Sequence, residues 1–271
     1  MLLSIEGEEA TIKTTMAYTA PWPIVGFQFD LGEERALYGA MYDKYFKNAK
    51  INIVKYDRLG ENKPTKQWDG YDITIYQLPQ PISLSSNLIT GHKALYDYFI
   101  TLLGLAVSDS NIQSIVVDTM TLARSVKADA YLEELNQKGA DRRQLLQIEY
   151  GHPNEAIRSL YSLMKACDKN FIAIHHLRDG YAPQMIKGEI QSVPTGERVL
   201  DGLDKTLRFV DVAIRNVKKG STINSVFVKC GYNLDLEGGS VPGNDWNSIV
   251  TIINMSRGDR MPLPMNERLS G

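Results

Sequence analysis

Apolar residues fall along this chain in short continuous runs, separated by longer stretches of mixed polarity. The run at 2–6 (LLSIE) reads as a buried strand, and 7–11 as a polar loop. Residues 13–19 start a helix that Pro21-Trp22-Pro23 ends, because proline cannot continue one. Residues 24–30 (IVGFQFD) form a second strand that closes on a carboxylate. Helical spacing returns over 32–49 through Leu37, Met41 and Phe46. Strands are expected at 51–56 and 73–76, on either side of a polar insertion at 57–70. An amphipathic helix covers 88–108 through Leu95, Phe99, Leu102 and Leu105. The apolar strand 112–118 (IQSIVVD) is followed by a polar stretch, 119–141, that includes a helix. A helix at 153–167, with proline in its first turn, leads to a strand at 171–175 (FIAIH). Residues 179–198 read as a long, polar, mobile loop. Late antiparallel strands are expected at 207–215 and 225–230, and the tail from Gly238 reads as loop-rich, with one strand near 249–253.

Strands alternating with helices predict an α/β fold. Its central sheet is mainly parallel, with helices on both faces and late antiparallel strands. The pattern divides the chain into a core at 1–237 and an extension at 238–271. With 271 residues, 43% hydrophobic and 23% charged, the chain can bury a sizeable core. A net charge of -2 neither demands nor excludes a nucleic-acid partner. Cys167 and Cys230 stand far apart without CxxC neighbours, which suits reduced thiols, and no zinc spacing is present. The start of the chain turns acidic too soon for a signal peptide. No apolar run approaches the roughly 18 residues of a membrane helix. The expectation is a cytoplasmic protein with no membrane partner.

The loop at 7–11 carries chemistry. Gly7-Glu8-Glu9-Ala10-Thr11-Ile12-Lys13-Thr14 matches GxxxxGK[ST] except that Ile12 replaces the second glycine. An apolar strand before it and a helix after it are the context of a phosphate-binding loop. Backbone N–H groups of Gly7, Glu8, Glu9, Ala10, Thr11 and Ile12 would cradle the phosphates of ATP. Lys13 would reach the β- and γ-phosphates, Thr14 would ligate Mg2+, and Thr15 is a second contact to phosphate oxygens. A β-branched residue in a left-handed backbone costs about 1–3 kcal/mol, so Ile12 implies either a reshaped loop or weakened nucleotide affinity.

Mg2+ also needs an acidic residue at a neighbouring strand end. Asp118, closing IVVD, has that form, although a strand-end Asp also caps following helices. Asp30, Glu33 and Glu34 are candidates to activate the attacking water, with Glu33 the expected base. At least one of the three serves instead as an N-terminal helix charge. His175 and His176 point to opposite faces of an extended strand and cannot share a metal. His176 is the expected γ-phosphate sensor, and the other histidine is packed or solvated.

The string GEEATIKTT, the strand-end Asp in IVVDT, the segment Gln147-Ile148-Glu149-Tyr150-Gly151 and FIAIHH occur in this order over 2–216. Together they resemble phage RecA-like P-loop ATPases, nearest the Sak4-type single-strand annealing and recombination proteins. The resemblance implies a RecA-like core and an ATPase that acts on single-stranded DNA in phage recombination or replication. It implies a homo-oligomeric ring or filament with ATP at subunit interfaces. A Lys or Arg of the next subunit would complete each site, with Arg215, Lys218, Lys219 and Lys229 as candidates; their alternative is as solvated charges that discourage edge pairing. A phage single-strand binding protein is a further implied partner, and the cytoplasm of an infected or prophage-bearing host the implied location. Two departures matter. Ile12 is one, and the other is Gly32, which stands where the family's catalytic glutamate falls. They keep open a nucleotide-binding loader or regulatory assembly protein with little or no hydrolysis.

Overall fold

Residues Leu2–Gly7 form β1, and all six are buried, Ser4 and Glu6 included, as befits a parallel strand covered on both sides. β1 lies inside a ten-stranded sheet. In the computed structural model, residues 1–39, 43–57, 62–81, 90–186, 189–203, 205–258 and 261–269 are described, without the side chains of Glu33, Glu34, Ile186 and Ile190. The helices begin with α1 (Lys13–Tyr18), α2 (Glu33–Tyr38) and α3 (Asp43–Phe46). They continue with α4 (His92–Ser108), α5 (Met120–Gln137), α6 (Gly151–Ala166) and α7 (Trp246–Arg257). The further strands are β2 (Ile24–Gln28), β3 (Ile51–Lys55), β4 (Ile73–Gln77), β5 (Ser114–Asp118) and β6 (Asn170–Ile186). They are followed by β7 (Glu189–Asp201), β8 (Val212–Lys219), β9 (Thr222–Cys230) and β10 (Ser240–Val241).

The strand order is β10-β9-β8-β1-β6-β5-β2-β4-β3, with β7 paired to β6 alone off this path. From β8 to β3 every neighbouring pair is parallel. The pairs β8–β9, β9–β10 and β6–β7 are antiparallel. Two hydrophobic layers sandwich the sheet, and the period-2 geometry of a strand sorts residues between them. Ile115, Val117, Phe171 and Ala173 join α4, α5 and α6 on one face. Val116, Ile172 and Ile174 join Met16, Leu37, Phe46 and the α7 residues on the other. This is the expected mixed α/β fold with a mostly parallel central sheet and late antiparallel strands.

Three expectations are corrected. The loop expected at 179–198 is a long antiparallel hairpin of β6 and β7, in register from His176↔Asp201 to Ile186↔Glu189, with an irregularity beside Gly180. A Cβ at Gly180 would lie 2.7 Å from Thr195 Oγ1, so the strands close there at a glycine. Residues Tyr181 to Met185 of the ribbon are exposed, so no buried stripe marked it in the sequence. The strand expected at 249–253 lies within α7. Its β-branched run is overridden by a cap, the Asp245 carboxylate accepting from the Ser248 N–H at 2.8 Å. Burial of Trp246, Ile249, Val250 and Ile253 follows i, i+3, i+4, i+7 spacing. The late strand expected from 207 begins at Val212, after a 3-10 turn at Thr206–Arg208. The part of the expected 88–108 helix at 88–89 and the residue Met41 lie outside the described residues. No helix among the described residues is long and apolar enough to cross a membrane.

Candidate functional site

Parallel strands deliver their carboxyl ends to one edge, and the loops there enclose a cavity of about 650 Å³. Glu9 to Thr15, Asp30, Gly32, Arg35, Ala36, Asp118, Leu122 and His176 line it. β6 lies between β1 and β5, so His175 follows Glu6 in register and Ala173 faces Val117. The sheet thereby brings the loop after β1 and the end of β5 to the same cavity.

The loop wraps tightly from β1 into α1. A Cβ at Gly7 would meet Asn216 O at 2.7 Å and Thr11 Oγ1 at 2.8 Å, so glycine is required there. Asn216, buried on β8, donates from Nδ2 to the Thr11 carbonyl at 2.8 Å and pins the loop's middle. Ile12 keeps a left-handed backbone, φ 55°, and Ala10 does too, at φ 55°. The loop therefore holds the glycine-like conformation at Ile12 and stores its strain.

Lys13 is 8% exposed. Its Nζ donates to the carbonyls of Gly7 at 2.9 Å and Glu8 at 2.7 Å. Burial holds its pKa below the usual lysine value, against the pull of Asp118, Asp30, Glu8 and Glu9. The Thr14 hydroxyl donates to Asp118 Oδ2 at 2.6 Å, across 104 positions of sequence. The Gln28 amide donates to the same oxygen at 2.9 Å. Burial pushes the Asp118 carboxyl up to about 6, although both hydrogen bonds and Lys13 act in the opposite direction. Thr15 lines the cavity, but its hydroxyl donates to Ala36 O at 3.0 Å, tying α1 to α2.

Gly7 and Glu8 border a smaller adjoining hollow of about 360 Å³, with Glu9, His176, Leu177 and Arg198. Arg198, on β7, grips Glu8 with Nε to Oε1 at 2.6 Å and Nη2 to Oε2 at 3.0 Å. Its Nη1 holds Asp179 at 2.6 Å. The hairpin base is thus tied directly to the loop between β1 and α1, a link between residues 190 positions apart.

His176 and Asp30 face each other in the cavity, Nε2 to Oδ2 at 3.7 Å. The side chain of Glu33, the expected base, lies outside the described residues, as does that of Glu34. His175 points to the other side and is fully buried. Its Nδ1 meets Ser4 Oγ at 3.1 Å and its Nε2 meets the Tyr161 hydroxyl at 3.1 Å. Burial lowers its pKa to about 3, so it is a neutral packing residue.

Two of the four cations considered for a neighbouring subunit are used within the chain. Arg215 Nε donates to buried Glu6 at 2.6 Å on the adjacent strand. Lys229 Nζ donates to the carbonyls of Leu207 and Val210, each at 2.7 Å. Lys218 and Lys219 are exposed at the outer end of β8.

Among the described residues no group of three or more His, Cys, Asp or Glu side chains could hold a metal ion by itself. One carboxylate and one hydroxyl, both hard oxygen donors, suit Mg2+. That ion keeps water and takes its other ligands from substrate phosphates rather than from a protein cage. Gln28, Arg35, Asn216 and Arg198 were not singled out by sequence reasoning. An amide inside the apolar run IVGFQFD was the one available signal, and it pointed to Gln28.

No family model matches the chain, and no curated protein matches it. Among solved structures it is similar to the KaiC-like protein PH0186 from the hyperthermophilic archaeon Pyrococcus horikoshii OT3, at 14% identity and a TM-score of 0.38. That likeness covers 84% of this chain and 79% of the archaeal one.

Proposed function

We propose that this chain binds ATP with Mg2+ in the cavity at the carboxyl ends of β1 and β5, and hydrolyses it in response to single-stranded DNA. One observation carries the nucleotide reading. The Thr14 hydroxyl and the Asp118 carboxylate meet at 2.6 Å beside a loop that also holds a buried lysine. Lys13 would exchange the Gly7 and Glu8 carbonyls for phosphate oxygens, turning neutral acceptors into charged ones and strengthening each hydrogen bond. The backbone N–H groups of the loop would receive the remaining phosphate oxygens. Thr14 and Asp118 would hold Mg2+, which neutralises charge on the β- and γ-phosphates. His176 would sense the γ-phosphate, its ring held beside Asp30, while Glu33 or Asp30 orients the attacking water. The action on DNA, the ring or filament and the phage setting rest on the sequence resemblance. For a subunit-bridging cation, Lys218 and Lys219 are the candidates the fold leaves exposed.

The test is ATP turnover with and without single-stranded DNA, in the wild type and Lys13→Ala. Turnover that rises with DNA and falls to background in the variant supports the proposal. Tight ATP binding with no turnover in either condition favours the loader or regulatory reading, for which the strained Ile12 and the absence of a carboxylate at Gly32 speak.

A further inference from the structure

Gln28 is an amide at the carboxyl end of β2, 0% exposed. A buried amide must be satisfied on both its oxygen and its nitrogen. Its Nε2 donates to Asp118 Oδ2 at 2.9 Å, and its Oε1 accepts from the Tyr18 hydroxyl at 3.1 Å. Tyr18, also 0% exposed, lies at the end of α1, the helix that Lys13 and Thr14 begin.

The direction of this chain follows from donor inventory. An ionised Asp118 can only accept, so the amide must turn its nitrogen to the carboxylate. The amide oxygen, which can only accept, then faces the tyrosine hydroxyl, which must donate. With Thr14 donating to the same Oδ2 at 2.6 Å, two donors converge on one carboxylate oxygen, one from the start of α1 and one from the end of β2. Together they fix the rotation of the carboxylate. The same strand, β2, makes space for the relay: a Cβ at Gly26 would lie 2.2 Å from Tyr18 Oη.

We propose that Tyr18 and Gln28 are positioning residues that set the Asp118 carboxylate for Mg2+. The proposal rests on the nucleotide reading above and deepens it. Neither side chain lines the cavity, so neither touches the nucleotide. Gln28 reaches the metal site through its hydrogen bond to Asp118, and Tyr18 through Gln28.

The experiment uses the full chain as Tyr18→Phe and as Gln28→Met, with a fluorescent ATP analogue. Nucleotide is first titrated in EDTA. Mg2+ is then titrated into the protein–nucleotide mixture, and melting temperatures are recorded in parallel. The expected result is unchanged nucleotide affinity in EDTA with a Mg2+ midpoint raised on the order of ten-fold, the scale of an outer-shell ligand partner. A lower melting temperature with the Mg2+ midpoint of the wild type would overturn the proposal and leave a packing role. Should Gln28→Met not fold, Tyr18→Phe, which keeps the ring and removes one hydroxyl, decides alone. Failure of the wild type to bind the analogue with or without Mg2+ would instead overturn the nucleotide reading, and this proposal with it.

Discussion

Replacing Asp118 by asparagine separates the site's cost to the fold from its use. Asp118 is 1% exposed, and burial raises its carboxyl from the usual 3.8 to about 6. The folded state therefore binds this proton more tightly than the unfolded state. The stabilisation it gives is complete below about pH 3.8, and is lost as pH climbs through about 6. Each tenfold in proton affinity is about 1.4 kcal/mol, so the charged carboxylate costs the ligand-free protein ~3 kcal/mol at pH 8. Asp118→Asn keeps an oxygen for Thr14 and Gln28 and never charges. Its stability should match that of the wild type near pH 4 and exceed it by ~3 kcal/mol at pH 8, a rise in melting temperature of roughly 5–10 °C for a chain of this size. The assay is urea unfolding of both proteins without nucleotide or divalent metal, from pH 4 to 8; taking the difference cancels other titrating groups such as Glu6. The variant should also lose Mg2+-dependent nucleotide binding, the exchange of stability for function seen at strained sites. A difference that does not grow with pH, or a variant less stable at pH 8, would refute the reasoning.

Other outcomes follow from the same geometry. Ile12→Gly removes a left-handed β-branched residue at φ 55°. Relief of ~1–3 kcal/mol less ~1 kcal/mol of added chain freedom gives a net gain of about 1 kcal/mol in chemical denaturation, and a loss of stability would argue against stored strain. Trp246→Ala, at a fully buried ring whose Nε1 donates to Pro264 O at 2.9 Å, should cost ~3–5 kcal/mol by the same assay. Near-neutral behaviour there would mean that α7 is not part of the folded core. Arg198→Ala cuts the tie between Glu8 and the hairpin while leaving both exposed partners solvated, so global stability should change by less than ~1 kcal/mol. Limited proteolysis within 177–200 should accelerate, and identical digestion would show that the link does not restrain the hairpin.

The parallel strands were legible because strands covered on both faces read as predominantly apolar runs, as LLSIE and SIVVD do. The wrap from β1 into α1 was legible because its residues are contiguous, and the position of Asp118 because it ends such a run. The β6–β7 hairpin was not legible. A two-stranded ribbon with exposed residues carries no core stripe, and its glutamines, glycines and prolines resemble a loop. Helix α7 was hidden by Ile249, Val250, Ile252 and Ile253, whose local preference for strand loses to the Asp245 cap and to one-sided burial. The contacts of Gln28 with Tyr18 and of Arg198 with Glu8 depend on tertiary approach, which no local pattern records. Arg215 looked free in the sequence because the register that places it beside Glu6 is a property of the sheet.

The central claim is spatial: a metal-bound triphosphate sits between the loop at 7–14 and the end of β5. A crystal structure with a non-hydrolysable ATP analogue and Mn2+ in place of Mg2+, read by anomalous diffraction, tests it most directly. The account predicts one Mn2+ peak within bonding distance of Thr14 Oγ1, beside Asp118, with Lys13 Nζ moved from the Gly7 and Glu8 carbonyls to the phosphates. Nucleotide bound elsewhere, or a metal peak distant from both Thr14 and Asp118, would contradict it.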